Sequence, residues 1–244
     1  MSHVECANCG TELEHIPGDT SPRAPCPKCG AVARAYTMSV GNMQPSAYLL
    51  DNFFAHKLSS LTSCGAPELP DEGKWLNTFI LKTIFHFSLA DSIRAYLFNF
   101  LRRTEGARSA YREARRHLNE HLTSPPNTIT PYFRSLLQFE ICLSQCYQGY
   151  ELLAKAAGCK VFEPGTNTQE ERLQIAYVDS KHMDQMISGK KLPEGATSGV
   201  WITNDGIESS RGMLPFNELH DLLSRMGSLA ETLCSMPPAA DGKQ

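Results

Sequence analysis

PYFRSLLQFEICLSQCYQGYELLAKAAG, residues 131–158, is the stretch on which the reading of the whole chain turns. Proline at its front suits the first helical turn, where an N–H has no partner to lose, and glycine at its back suits a left-handed helix terminus. Fully helical, the stretch would run roughly 42 Å at about 1.5 Å per residue. At about 100° per residue, Phe133, Leu136, Leu137, Leu143, Tyr147 and Ala154 share one stripe, with Arg134, Gln138, Gln145 and Gln148 off it. The pattern predicts the central helix of a bundle. Glu140 interrupts that stripe, flanked by Leu136, Leu137, Leu143 and Ser144. A carboxylate there must find a partner or hold a proton. It reads either as a structural ion pair or hydrogen bond to a neighbouring helix, or as an acid that binds a ligand or takes part in catalysis. Cys142 and Cys146, one turn apart with no histidine nearby, read as small core residues.

Upstream, Trp75 to Leu101 is strongly apolar, but Lys82, His86, Asp91 and Arg94 interrupt it too often for a bilayer span. Two buried helices are expected there. Ser88 followed by Asp91 resembles a capping box opening the second, which turns Ile93, Leu97 and Leu101 inward. This helix then becomes basic, with seven arginines (94, 102, 103, 108, 112, 115 and 116) against Glu105, Glu113 and Glu120. The chain as a whole carries a net charge of −3, so positive charge is concentrated here and a protein basic overall is excluded. Arginine's forked donors suit phosphate, which makes Arg102, Arg103, Arg108, Arg112, Arg115 and Arg116 a candidate surface for RNA, DNA or another polyanion. A solvated helix face is the other reading. Tyr111 is the lone aromatic of the polar half, so stacking on single-stranded bases has little support.

Within this helix lie Arg112-x4-His117 and Arg116-x4-His121. The spacing resembles the R-x4-6-H element of HEPN-type helical proteins. That resemblance implies an all-α bundle and metal-independent endoribonuclease activity of a toxin or defence type, with Arg112 holding phosphate and His117 transferring a proton. Glu113 stands where active members often carry a different polar residue. Ser124-Pro-Pro ends the helix, because proline supplies no donor and restricts the residue before it.

At the N-terminus Cys6-Ala-Asn-Cys9-Gly10 and Cys26-Pro-Lys-Cys29-Gly30 give C-x2-C-x16-C-x2-C. Two tight turns at this spacing can close four thiolates around a tetrahedral ion, and each glycine suits a turn with φ > 0 that aims backbone N–H groups at sulfur. Zinc is the first reading, with a single iron or a redox dithiol as the others. About 38 residues bury too little to fold alone, so the metal is expected to supply most of the folding energy. These knuckles resemble the zinc ribbons of many bacterial proteins, with Ala31 to Tyr36 as the following strand. Four thiolates leave no position for water, so Zn2+ is expected to be structural and His3 and His15 unnecessary.

The domain plan that follows is a zinc ribbon at 1–38, a linker at 39–46, a helical domain at 47–236 and a disordered tail at 237–244. Tyr48 to Leu61 is expected to form a short helix, and SCGAPELPDEG a loop. Downstream of the central helix, CKVFEPGTN reads as a loop, and Thr168 with Glu171 caps a helix to about Ser188. On that helix Asp179 and His182 share a side in a general-base arrangement, and convergence with Glu140 would make a buried polar site. Val200 to Ser209 reads as a β-hairpin, and Pro215 to Cys234 as a final helix. The fold class expected is mainly α: a four-cysteine ribbon followed by a helical bundle with one small hairpin.

Nine cysteines without a secretory leader fit a reducing, cytoplasmic setting. No glycine-rich phosphate loop, G-x-S-x-G or H-E-x-x-H occurs. The expected function is a binding protein that engages nucleic acid or a protein partner through the ribbon and the arginine-rich helix, without a membrane and with a homodimer as one assembly. The alternatives are the HEPN-like nuclease and a purely structural interaction module.

Overall fold

The computed structural model describes residues 2–13, 24–38, 46–70, 74–86, 90–125, 128–193 and 196–235. His15, Ser88, all of the linker but Ser46, and the tail at 237–244 lie outside them, as does the side chain of His3. The chain divides into two compact units, Met1–Gln44 and Pro45–Gln244.

In the first unit β1 (Ser2–Cys6) pairs antiparallel with β2 (Arg34–Met38), Cys6 facing Arg34 and Val4 facing Tyr36. One strand runs into the first cysteine pair and the other leaves the second, so this register brings the two knuckles together.

The second unit is helical. The segment expected to be one helix from Tyr48 to Leu61 is broken: α1 (Ala47–Leu49) widens into a π-turn (Leu50–Phe54), and a 3-10 turn (Leu58–Ser60) follows Lys57, whose φ is 60°. Then come α2 (Trp75–His86), α3 (Asp91–Thr123) and α4 (Thr130–Ala157). The expected helix to Ser188 is interrupted at His182, giving α5 (Gln169–Lys181) and α6 (Met183–Ser188). The expected hairpin forms as β3 (Val200–Ile202) and β4 (Gly206–Ser209), with Trp201 opposite Glu208. Sequence reading missed a third strand, β5 (Gly212–Pro215), which pairs with β4 before α7 (Phe216–Ser235) begins. Mainly α is therefore the fold class, with two small antiparallel sheets.

α4 ends as its glycine foretold: Gly158 has φ 66° and the Cys159 N–H donates back to the Ala154 carbonyl. Its buried face is rotated from the expected stripe. Tyr132, Leu136, Phe139, Cys142, Leu143, Cys146, Tyr150 and Ala154 point into the core, whereas Leu137 is 53% exposed and Phe133 is also exposed. Glu140 consequently lies at the edge of the buried face. The rotation has a simple origin: α4 packs along α3 through small residues, with Ala107, Ala110 and Ala114 buried and the Ser135 hydroxyl donating to the Ala114 carbonyl at 2.8 Å. The helices of the apolar stretch are less covered than expected. Ile80, Leu81 and Ile84 on α2 and Ile93 on α3 are exposed.

The sheet is joined to the bundle by Tyr132, whose Oη accepts the Ile202 N–H at 3.2 Å, and Trp201, Ile202, Ile207 and Leu214 are buried. Gly65 marks a close approach, since a Cβ there would lie 2.4 Å from the Asn204 carbonyl oxygen, which accepts the Gly65 N–H. Gly65→Ala should therefore lower stability by about 1–3 kcal/mol, read as a lower urea midpoint at unchanged slope.

Candidate functional site

The cysteine cluster is built by the two knuckles. In each, the glycine N–H donates to the carbonyl of the first cysteine, Gly10 to Cys6 at 2.9 Å and Gly30 to Cys26 at 2.8 Å, with φ of 67° and 72°. These positive angles are the reason glycine stands there. The Sγ atoms of Cys6 and Cys29 lie 3.5 Å apart, those of Cys9 and Cys26 3.7 Å, and all four fall within 4.8 Å of one another. Four thiolates at about 2.3 Å from a tetrahedral zinc ion would be spaced about 3.8 Å, so the donor set fits such an ion. The surroundings favour thiolate at Cys9 and Cys26 but not at Cys6, which is pushed up to about 11: the Thr11 hydroxyl, 3.1 Å from Cys9 Sγ, together with the Thr11 N–H lowers the Cys9 thiol to about 6. The Lys28 N–H lowers Cys26 in the same sense. Thr11 was not picked out in the sequence.

Three of the arginines of the basic face have a structural role in the helical unit. Tyr111, Arg108, Arg112 and Arg115 share one side of α3, against the segment Ala66-Pro-Glu-Leu-Pro70. There Arg115 Nε donates to the Ala66 carbonyl at 2.8 Å, Tyr111 Oη to Pro67 at 2.9 Å, and Arg108 Nη2 to Pro70 at 3.0 Å, with Arg112 Nη1 reaching Pro70 at 3.4 Å. A segment with two prolines cannot pair its carbonyls by coiling into a helix, and arginine supplies the donors. Arg108 goes deepest, 2% exposed, with Nη1 on the Leu223 carbonyl of α7 at 3.1 Å and its guanidinium 5.5 Å from the Trp75 ring centre.

The other arginines do not reach this segment, and all but Arg103 are engaged within α3 itself. Arg103 donates to Gln145 Oε1 at 2.8 Å, Arg94 pairs with Asp91 and Arg116 with Glu113, while Arg102 reaches Asn99 at 3.3 Å. His117 sits between Glu120 on Nδ1, at 3.1 Å, and Arg116 on Nε2, at 3.0 Å. Arg112 faces the proline segment instead, as expected for residues five apart on a helix, about 140° around it. His121 Nδ1 lies 3.2 Å from the Thr128 carbonyl, leaving Arg116 and His121 apart as well.

Glu140, Asp179 and His182 do not converge. Asp179, 2% exposed, is held by Arg211 through Nε at 2.9 and 3.0 Å and through Nη2 at 2.7 Å. Arg211 is 32 positions away, with no signal in the sequence to link the two. His182 is the residue at which α5 gives way to α6. Glu140 instead lines a groove of about 390 Å³ between α4 and α5, with Ser144, Gln145, Gln148, Tyr177 and Lys181. Tyr177 is fixed there as one end of a three-ring stack, 4.4 Å from Tyr147, which lies 4.4 Å from Phe162.

No family model matches the chain, and no curated protein or solved structure is significantly similar to it.

Two expectations follow. Arg108→Ala removes two charge-assisted hydrogen bonds, to Pro70 and Leu223, together with the packing of a 2%-exposed side chain, and should cost about 3–4 kcal/mol in urea unfolding, while Arg102→Ala should stay within about 0.5 kcal/mol. Burial raises the Glu140 carboxyl above its ordinary value, so the charged form is disfavoured in the folded state relative to the unfolded chain. Its contribution is most favourable at low pH and is lost as pH rises through the folded-state value. Glu140→Gln should accordingly raise the melting midpoint by on the order of 2 °C near pH 8, a gain that fades toward about pH 4 in calorimetric scans.

Proposed function

We infer that the chain is a cytoplasmic binding protein, a zinc ribbon joined to a helical body, that engages a protein partner and performs no chemistry of its own. The observation carrying this reading is the aliphatic face of α2: Ile80, Leu81 and Ile84 are 37%, 58% and 67% exposed on a helix that is apolar on its inner side too. Contiguous apolar surface of this kind is characteristic of protein-binding sites. Nucleic acid is the weaker choice of partner, because Arg108, Arg112 and Arg115 are directed at backbone carbonyls. The ribbon unit adds little positive charge, with Arg23, Lys28 and Arg34 against Glu5, Glu12, Glu14 and Asp19. The nine free thiols fit a reducing compartment.

Zinc is assigned as a structural ion, since every position of a tetrahedron is filled by Cys6, Cys9, Cys26 and Cys29. Atomic absorption should find one zinc per chain, lost on Cys26→Ser. Chelation should remove on the order of 10 kcal/mol of ribbon stability while leaving the helical far-ultraviolet signal of the second unit intact.

Leu81→Glu with Ile84→Glu tests the partner surface. Sedimentation equilibrium should show self-association that the double substitution abolishes with little change in unfolding midpoint, identifying a second copy as the partner. RNA binding that falls steeply with salt and disappears when Arg102 and Arg116 are neutralised would replace this reading with the nucleic-acid one. The nuclease alternative draws support from the Arg116–His117–Glu120 contacts. It requires chelator-resistant RNA cleavage abolished by His117→Ala or Arg112→Ala.

A further inference from the structure

Among the described residues, Glu140 has no hydrogen-bond or ion-pair partner, although it is half-buried. Other carboxylates in comparable or deeper positions are paired: Asp179 with Arg211, Glu218 with Arg172, Glu170 with Arg225. Withdrawing a carboxylate from water without a counter-charge is unfavourable, and a fold has no need of it at the edge of a helix face where glutamine would fit.

The groove around it has the attributes of a small-molecule site. Its volume, about 390 Å³, lies within the range of pockets that hold small ligands. Its polar side chains are already oriented by partners outside the groove or along its wall. Gln145 has its oxygen occupied by Arg103, so its amide N–H groups remain to donate. Gly106 makes room for that arrangement, since a Cβ there would come within 3.3 Å of the same oxygen. Gln148 donates to Ser144 Oγ at 3.0 Å, which leaves the Gln148 carbonyl as an acceptor and the Ser144 hydroxyl as a donor. Ile141 and the stacked Tyr177 provide apolar wall, and Lys181 stands on the α5 side with its ammonium 5.5 Å from the Tyr177 ring centre. Glu140 and Lys181 line the same groove, and among the described residues they form no ion pair with each other.

We propose that this groove binds a small zwitterion, its ammonium group on the Glu140 carboxylate and its carboxylate at the Lys181 ammonium. A ligand with both charges satisfies both ends, whereas a simple amine leaves Lys181 unmatched and a simple acid meets the uncompensated charge of Glu140. The carbon chain between lies on Ile141 and Tyr177, with the Gln145 and Ser144 donors along its length.

The test uses the zinc-loaded full-length protein and titration calorimetry with ω-aminocarboxylates from glycine to 6-aminohexanoate, with butylamine and hexanoate as single-ended probes. One length in the series should bind at least tenfold tighter than either single-ended probe. Glu140→Gln should weaken that binding at least tenfold and Lys181→Ala at least threefold, both with midpoints no more than about 2 °C below the parent. Saturable binding by no member of the series overturns the proposal. So does a zwitterion that binds no tighter than butylamine, or binding that Glu140→Gln leaves unchanged.

Discussion

A guanidinium almost withdrawn from water lies where three segments of the helical unit meet. Arg108 leaves α3, donates to the Pro70 carbonyl of the preceding loop and to the Leu223 carbonyl of α7, and lies against the Trp75 ring at the start of α2. Hydrogen bonds from a charged donor are stronger than neutral ones and strongly directional, so this one side chain fixes segments that are far apart in sequence. Its neighbours reinforce the arrangement. Trp75 Nε1 donates to Glu231 of α7, and Lys82 of α2 donates to the Cys234 carbonyl, where the negative end of the α7 dipole favours a cation. What reads as a basic surface is in part, through Arg108, Arg112 and Arg115, the means by which a proline-rich loop, unable to satisfy its own carbonyls, is bound to the bundle.

With α3 committed in this way, α4 takes its position from the small side chains that let the two helices lie close. The buried Ala107, Ala110 and Ala114 let α4 lie close, with Ser135 on the Ala114 carbonyl and Phe139 edge-on to Tyr111, and that contact sets which face of α4 turns inward. The same rotation brings Glu140 to the rim and leaves it beside α5, while the Tyr147, Tyr177 and Phe162 stack holds α5 and the intervening loop in place. The groove between α4 and α5 is thus a consequence of packing decided on the opposite side of α4.

The ribbon follows a separate logic. Its strands are five residues each, and its few buried apolar side chains include Val4 and two of the cysteines themselves. Such a unit depends on the four converging sulfurs, and the N–H and hydroxyl donors around Cys9 and Cys26 ready those two sulfurs for a cation before one arrives.

The sequence by itself determined the features set by local chemistry. Two C-x-x-C-G knuckles declare a four-thiolate cluster because the turn needs glycine and the ion needs sulfur. Pro131 and Gly158 delimit α4 because one lacks an N–H and the other tolerates φ 66°. The pairing of β3 with β4 was legible for the same reason, in alternation around Asn204-Asp205-Gly206. Only the tertiary structure decided the roles of side chains whose partners are remote. Nothing local says that Arg108 belongs to Leu223, or Asp179 to Arg211, or that α4 turns some tens of degrees from its most apolar stripe. Helical periodicity fixes which residues share a face, but the contact with α3 chooses the face, and long side chains such as arginine and glutamate take their meaning from what that choice places within their reach.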